Sequence, residues 1–173
     1  MRRLRYQVAT SLDGYIAGPN GEFDWIVMDP DIDFAALSAQ YDTAVMGRKT
    51  FLTTLQPGAD GAMPGLDVVV FSRTLRQADY PAVTVVDGDP VAHVRALKAR
   101  AGKDIWLFGG GELFRTLLDA GLVDTVEPAI VPILLGAGIP MLPASTSHTR
   151  LSLTKHHHYP KSGIMLVEYD VRP

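Results

Sequence analysis

The chain has 173 residues, 47% hydrophobic and 20% charged, with 16 Lys+Arg against 19 Asp+Glu and no Cys. A chain of this length is expected to form one domain over residues 1–173, with a core that needs no covalent staples. The absence of Cys excludes disulfides, thiolate metal sites and a cysteine nucleophile, which suits a cytoplasmic setting. A net charge of -3 gives no reason to expect nucleic acid as a partner.

No export or membrane segment is expected. The basic start Met1-Arg2-Arg3-Leu4-Arg5 runs into polar Gln7, Thr10, Ser11 and Asp13 before any apolar region develops. The longest uncharged stretch, Pro128 to Ser147, carries Pro132, Pro140, Pro143, Gly136 and Gly138, which would break a helix in lipid.

In chain order, Leu4 to Ala9 alternates and reads as a first strand, followed by a glycine-rich loop from Gly14 to Gly21 that ends near Trp25. Asp33 is a candidate N-cap for a helix placing Phe34, Leu37 and Tyr41 on one face. Thr43 to Met46 reads as a strand and Arg48 to Leu55 as a helix, with further strands at Asp67–Phe71 and Val83–Val86. Asp89-Pro90 is a helix start, cap then Pro at the first helical position, with Val91, Val94 and Leu97 on one side. Ile105–Phe108 is a buried-strand candidate; after Gly109-Gly110-Gly111 a helix carries Leu113, Phe114, Leu117 and Leu118 and closes at Gly121. Thr125 to Leu135 reads as a strand, and Leu151–Tyr159 with Ile164–Val171 as a hairpin. Strand–helix alternation ending in a hairpin predicts an α/β fold, mostly parallel, with an antiparallel edge.

In such sheets ligands bind where strands lead into helix N-termini. Gly47-Arg48-Lys49-Thr50 forms one such junction: a glycine opening, two cations and a hydroxyl suit a phosphate, and a solvated basic helix start is the alternative. Phe108-Gly109-Gly110-Gly111-Glu112-Leu113 forms a second, with more glycine than a tight turn requires. Ser72-Arg73 follows a strand and suits a phosphate monoester such as the 2′-phosphate of NADP. Asp24, Asp29, Asp31 and Asp33 surround Trp25, where one is a candidate acid in a pocket, one a cap, and solvated carboxylates are the alternative. His156-His157-His158 lacks acidic or Cys partners nearby, so no metal site is expected; His93 falls on the polar side of its helix.

These junctions in this order resemble the dihydrofolate reductase-like superfamily, in its RibD C-terminal reductase branch. The matching segments are Ser11–Ala17, Met46–Phe51, Val70–Arg73, Phe108–Leu113 and Pro132–Pro140. The resemblance implies a three-layer α/β/α fold with a mostly parallel central sheet and an antiparallel C-terminal hairpin. It also implies an NADPH site. Ala9 and Ile16 would meet the nicotinamide carboxamide; Gly47, Arg48, Lys49 and Thr50 the phosphates; Ser72 and Arg73, with Arg48, the 2′-phosphate. Phe108, Gly109, Gly110, Gly111, Glu112 and Leu113 would border the nicotinamide and pyrophosphate, with the Gly109–Gly110 bond cis. Trp25 and Phe34 would touch the substrate.

The position that carries the family's carboxylate after the loop tryptophan is Pro30 here, flanked by Asp29 and Asp31, which become the candidates to help protonation directly or through water. The implied activity is NADPH-dependent hydride transfer to a small heterocycle, of pteridine or aminopyrimidine type as in folate or riboflavin biosynthesis. A non-catalytic NADPH- or ligand-binding module of the same fold is the alternative. The zinc deaminase that usually precedes this domain in the riboflavin-pathway enzyme needs Cys ligands and a further domain, and neither is present in this sequence. Relatives pair as dimers, which makes a homodimer expected, with the apolar Ile130 to Leu142 region as its interface.

Overall fold

A computed structural model describes residues 1–144 and 148–172; positions 145–147, the end of the long uncharged stretch, and 173 lie outside the described residues. Eight strands form one sheet: β1 (Leu4–Ser11), β3 (Tyr41–Gly47), β4 (Asp67–Phe71), β5 (Thr84–Val86), β6 (Asp104–Gly109), β7 (Thr125–Val131), β9 (Leu151–His158) and β10 (Met165–Val171). Their order is β5-β4-β3-β6-β1-β7-β10-β9. Pairings from β5 through β7 are parallel, and the β9–β10 hairpin joins β7 antiparallel. A two-stranded patch of β2 (Tyr15–Ala17) and β8 (Ile139–Pro140), not anticipated from the sequence, lies outside this sheet.

The central strands are apolar at successive positions because both faces are covered. Val45 and Val69 join Leu4, Tyr6, Ile105 and Leu107 under α3 (Pro90–Ala99) and α4 (Gly111–Asp119). Their neighbours Ala44, Met46, Val68 and Val70 turn to the opposite face, where Phe51 of α2 (Arg48–Thr54) covers them. Asp89 caps α3, accepting from the N–H groups of Val91 and Ala92, and Asp33 caps α1 (Phe34–Ser38) through the Ala36 N–H.

Two of the differences from the expected boundaries have a clear physical cause. Tyr41 leaves the helical face and opens β3, buried and stacked on Trp106 at 5.5 Å between ring centroids, because burying a large ring outweighs helix periodicity. β7 stops at Val131 rather than Leu135, since Pro132 has no N–H to continue a ladder. No helix among the described residues is long and apolar enough to cross a membrane.

Candidate active site

β3 and β6 are neighbours whose onward connections diverge. β3 leads through α2 to β4 on one side, whereas β6 leads through α4, on the opposite face, to β7 beyond β1. Adjacent strands with diverging crossovers leave a crevice at their carboxyl ends. A cleft of about 660 Å³ opens there, between the Gly47–Thr50 turn, the Gly109–Gly111 turn and the end of β1.

Twelve of the fourteen residues expected to hold a cofactor line this cleft: Ala9, Ile16, Gly47, Arg48, Lys49, Thr50 and the run Phe108 to Leu113. Gly47 has an ordinary extended conformation (φ -83°, ψ 160°), and a Cβ built there meets no protein atom. No protein atom would touch a Cβ at that point, and the missing side chain leaves the cleft open. Arg48 and Lys49 are exposed and make no ion pair among the described residues. Gly110 caps α4 and brings no side chain to its first-turn N–H groups, which belong to residues bordering the cleft.

Two of the three glycines have separate reasons. Gly109 has φ +143°, a conformation that side chains rarely adopt, and the Gly109–Gly110 bond is cis. Gly111 is a packing position: a Cβ there would sit 2.6 Å from the Pro140 carbonyl oxygen. The third glycine is therefore accounted for by the approach of α4 to the segment after β8 and not by a ligand.

The remaining expected residues lie elsewhere. Ser72 is buried, and its hydroxyl accepts from the N–H groups of Thr74 and Leu75 at 3.2 and 3.0 Å, so it builds the turn after β4. Arg73 is exposed beside it, and neither lines the cleft. Because Gly47 pairs with Phe71, Arg48 and Ser72 leave adjacent strands side by side.

Asp29, Asp31, Trp25 and Phe34 are also outside the lining, which instead takes Phe23 and Ile26 from the same loop. Asp29 is buried and accepts from the Asp31 N–H at 2.9 Å and the Ser162 N–H at 3.0 Å. The Ser162 hydroxyl, these N–H groups and nearby Lys161 hold its carboxyl below the usual carboxylate range. Asp31 is exposed and ion-paired with Lys161 at 2.7 Å. Asp29 and Asp31, expected to help donate a proton in the cleft, both fasten the loop after Trp25 to the β9–β10 turn. Trp25 donates to the Glu22 carbonyl, and Phe34 is exposed on the first turn of α1.

Sequence reasoning missed the polar floor of the cleft. Gln7 and Trp106 line it, and the Trp106 indole N–H donates to the Gln7 carbonyl at 3.0 Å. Beneath them Arg5 grips Glu127 with two bonds of 2.7 and 2.8 Å, donates to Gln40 at 2.7 Å, and lies over the Tyr41 ring. Burial opposes the charge of Arg5, but the bond and charge of Glu127 outweigh it and raise its pKa. The available signal was in β1: Arg5 and Gln7 alternate with Tyr6 and Val8, an unexpected polar stripe in a strand walled on both sides. No group of three or more His, Asp or Glu able to hold a metal ion occurs among the described residues.

The architecture, a mostly parallel sheet with flanking helices and a cleft between β3 and β6, defines a dihydrofolate reductase-like fold. Dihydrofolate reductase from Enterococcus faecalis, complexed with NADP(H) and RAB-propyl, matches over 98% of this chain and 94% of that one, with TM-score 0.69 and 17% identity. Within that class, residues 2–165 match the RibD C-terminal domain, and the chain belongs to this family. It is similar to a putative riboflavin biosynthesis protein from Shewanella sp. PV-4 (TM-score 0.82, 30% identity, all of both chains). It is also similar to the uncharacterized protein YyaP of Bacillus subtilis (strain 168), at 35% identity over 97% of this chain and 94% of that protein. The chain is thus homologous to reductase domains and carries the fold of pyrimidine- and folate-type reductases.

Proposed function

We propose that the protein is an NADPH-dependent reductase that transfers hydride to a small heterocycle of pteridine or aminopyrimidine type, such as 5-amino-6-(5-phosphoribosylamino)uracil. One observation carries the reading: a single switch-point cleft sets a glycine-opened basic turn against the uncapped N-terminus of α4. The residues present fit a dinucleotide phosphate chain, since Gly47 leaves room that a Cβ would fill and Arg48 and Lys49 lack protein partners among the described residues. The fold neighbour from E. faecalis, complexed with NADP(H), supports the same choice of cofactor.

When bound, NADPH supplies the hydride. The chain's own residues bind and orient. Arg48, Lys49, Thr50 and the first-turn N–H groups of α4 hold the pyrophosphate. Arg48 and the exposed Arg73 take the 2′-phosphate, with Ser72 shaping their turn. Ala9 and Ile16 offer backbone groups to the carboxamide, and Phe108 and Gly109 wall the ring. Apolar Phe23, Ile26 and Ile139 line the same cleft. Asp29 and Asp31 keep the Phe23–Ile26 loop in place, and the proton comes from solvent at the mouth.

A non-catalytic NADPH- or ligand-binding module is the second reading, favoured by one observation: among the described residues, the lining holds a single carboxylate, Glu112, beside the α4 turn. Titration of the folded protein with NADPH, followed by turnover assays on dihydropteridines and aminopyrimidines, separates the two. No NADPH affinity refutes both cofactor readings; tight binding without oxidation supports the module. Arg73→Ala is expected to weaken NADPH by roughly 10- to 100-fold and NADH far less, as loss of charge-assisted bonds to the 2′-phosphate alone requires. Exposed Leu134, Ile139 and Leu142 support a homodimer through residues 130–142, checked by light scattering.

A further inference from the structure

The polar network under the cleft has an uneven property: it is complete at its buried end and incomplete at the surface it shows to the cleft. Glu127 is 2% exposed, and all four of its acceptor positions are filled. Oε1 accepts from Arg5 Nε at 2.7 Å and the Thr125 hydroxyl at 2.6 Å; Oε2 accepts from Arg5 Nη2 at 2.8 Å and Gln7 Nε2 at 3.4 Å. Such a carboxylate has no vacant position with which to touch a ligand. What it does is orient Gln7, because an acceptor-only group forces the amide nitrogen, and not the oxygen, to face it.

The Gln7 oxygen is held as well. The Tyr41 hydroxyl donates to it at 3.5 Å. Tyr41 is buried against Trp106, and burial raises its pKa, so the phenol remains a donor. Both contacts are long, so the amide is aimed without being exhausted: one N–H and one oxygen lone pair remain. Gln7 is half-buried and lines the cleft beside the Trp106 ring.

We propose that Gln7 is the specificity-determining residue for the heterocycle. Its amide, held in one orientation by Glu127 and Tyr41, reads a lactam edge, an N–H adjacent to a C=O, on a planar ring laid beside Trp106. A donor and an acceptor on one amide pair with the acceptor and donor of a lactam, whereas a carboxylate at this place would select a cationic amidine edge. A neutral amide excludes that preference, and Glu127, already filled by Arg5, does not restore it. This assignment deepens the reductase reading and rests on it only for the identity of the second ligand in the cleft.

The experiment uses a matched pair of ligands, lumazine and 1,3-dimethyllumazine, which share a ring and differ in their N–H groups. Binding is measured by calorimetry on the whole chain, free and in the presence of NADPH. The free protein is expected to bind lumazine about tenfold or more tightly than the dimethyl compound, a discrimination typical of a site built to bond a ligand N–H. Gln7→Met keeps the side-chain length, removes both polar atoms, and should bring the ratio to within about twofold. Should that variant fail to fold, Tyr41→Phe removes only the hydroxyl that aims the amide oxygen and should lower the ratio by about threefold. No lumazine binding, equal binding of the pair by the unsubstituted protein, or an unchanged ratio in a folded variant overturns the assignment. Failure of NADPH to bind would instead strike the cofactor reading, and the lumazine titration of the free protein would remain readable.

Discussion

Replacing Arg5 by Met tests the energetic core of the site. The substitution removes both bonds to Glu127, the bond to Gln40, the ion pair with Asp104 at 3.5 Å and the contact over the Tyr41 ring, while leaving a carboxylate 2% exposed without its cation. The Arg5 and Glu127 side chains are 10% and 2% exposed, so the weak, screened regime of surface pairs does not apply. Breaking a buried pair by removing one partner costs about 3–5 kcal/mol. For a chain of this size each kcal/mol moves Tm by about 2–4 °C, so Arg5→Met is expected to lower it by roughly 10 °C. The double variant Arg5→Met/Glu127→Leu removes the orphaned charge and is expected to recover most of the loss, because a well-packed apolar pair replaces a buried ion pair at little net cost. A double-mutant cycle by calorimetry or urea unfolding measures the coupling. Single-variant losses below about 1 kcal/mol, or a double variant that merely sums the singles, would refute the account of Glu127 as a carboxylate held by Arg5.

Gly111→Ala places a Cβ 2.6 Å from a backbone oxygen, so one of the two segments must move; a loss of about 1–3 kcal/mol in urea unfolding is expected, with weaker NADPH binding. Gly47→Ala meets no protein atom, and its stability should stay within about 0.5 kcal/mol of the parent while NADPH affinity falls, a split read by pairing unfolding with titration. Asp29 has a folded pKa below its unfolded value, so its stabilisation is complete above about pH 4 and is lost as pH falls through the lower folded value. Asp29→Asn should flatten that acid limb in a pH series of Tm, and an unchanged limb would show that other groups govern it.

Much of the scaffold was legible because it is local. Asp89-Pro90, the apolar runs Val68-Val69-Val70 and Ile105-Trp106-Leu107, and the glycine junctions each signal their structure within a few residues. The cleft's basic turn was legible for the same reason. What was hidden depends on distant pairing. Glu127 became the partner of Arg5 only through the β1–β7 register, which sets Gln7 opposite Glu127 and so brings these side chains onto one face. Asp29 looked like an acid in a pocket because its neighbours in sequence are Trp25 and Pro30, whereas one of its two carboxylate oxygens is taken by the distant Ser162. Tyr41 looked helical because its spacing from Phe34 and Leu37 fits, whereas stacking on Trp106 placed it in a strand.

The small β2–β8 patch has a mechanical consequence. Ile16 and Ala17 from one strand and Ile139 and Pro140 from the other line the cleft, and the two segments are tied again where Asp13 accepts from the Leu135 and Gly136 N–H groups and Gly14 accepts from Met141. Neither segment can swing aside alone. Opening the mouth means moving a cross-linked flap drawn from two distant stretches of the chain, and it breaks bonds that lie outside the cleft. Gly138, whose missing side chain lets the flap close against the Ala17 carbonyl, belongs to that clasp.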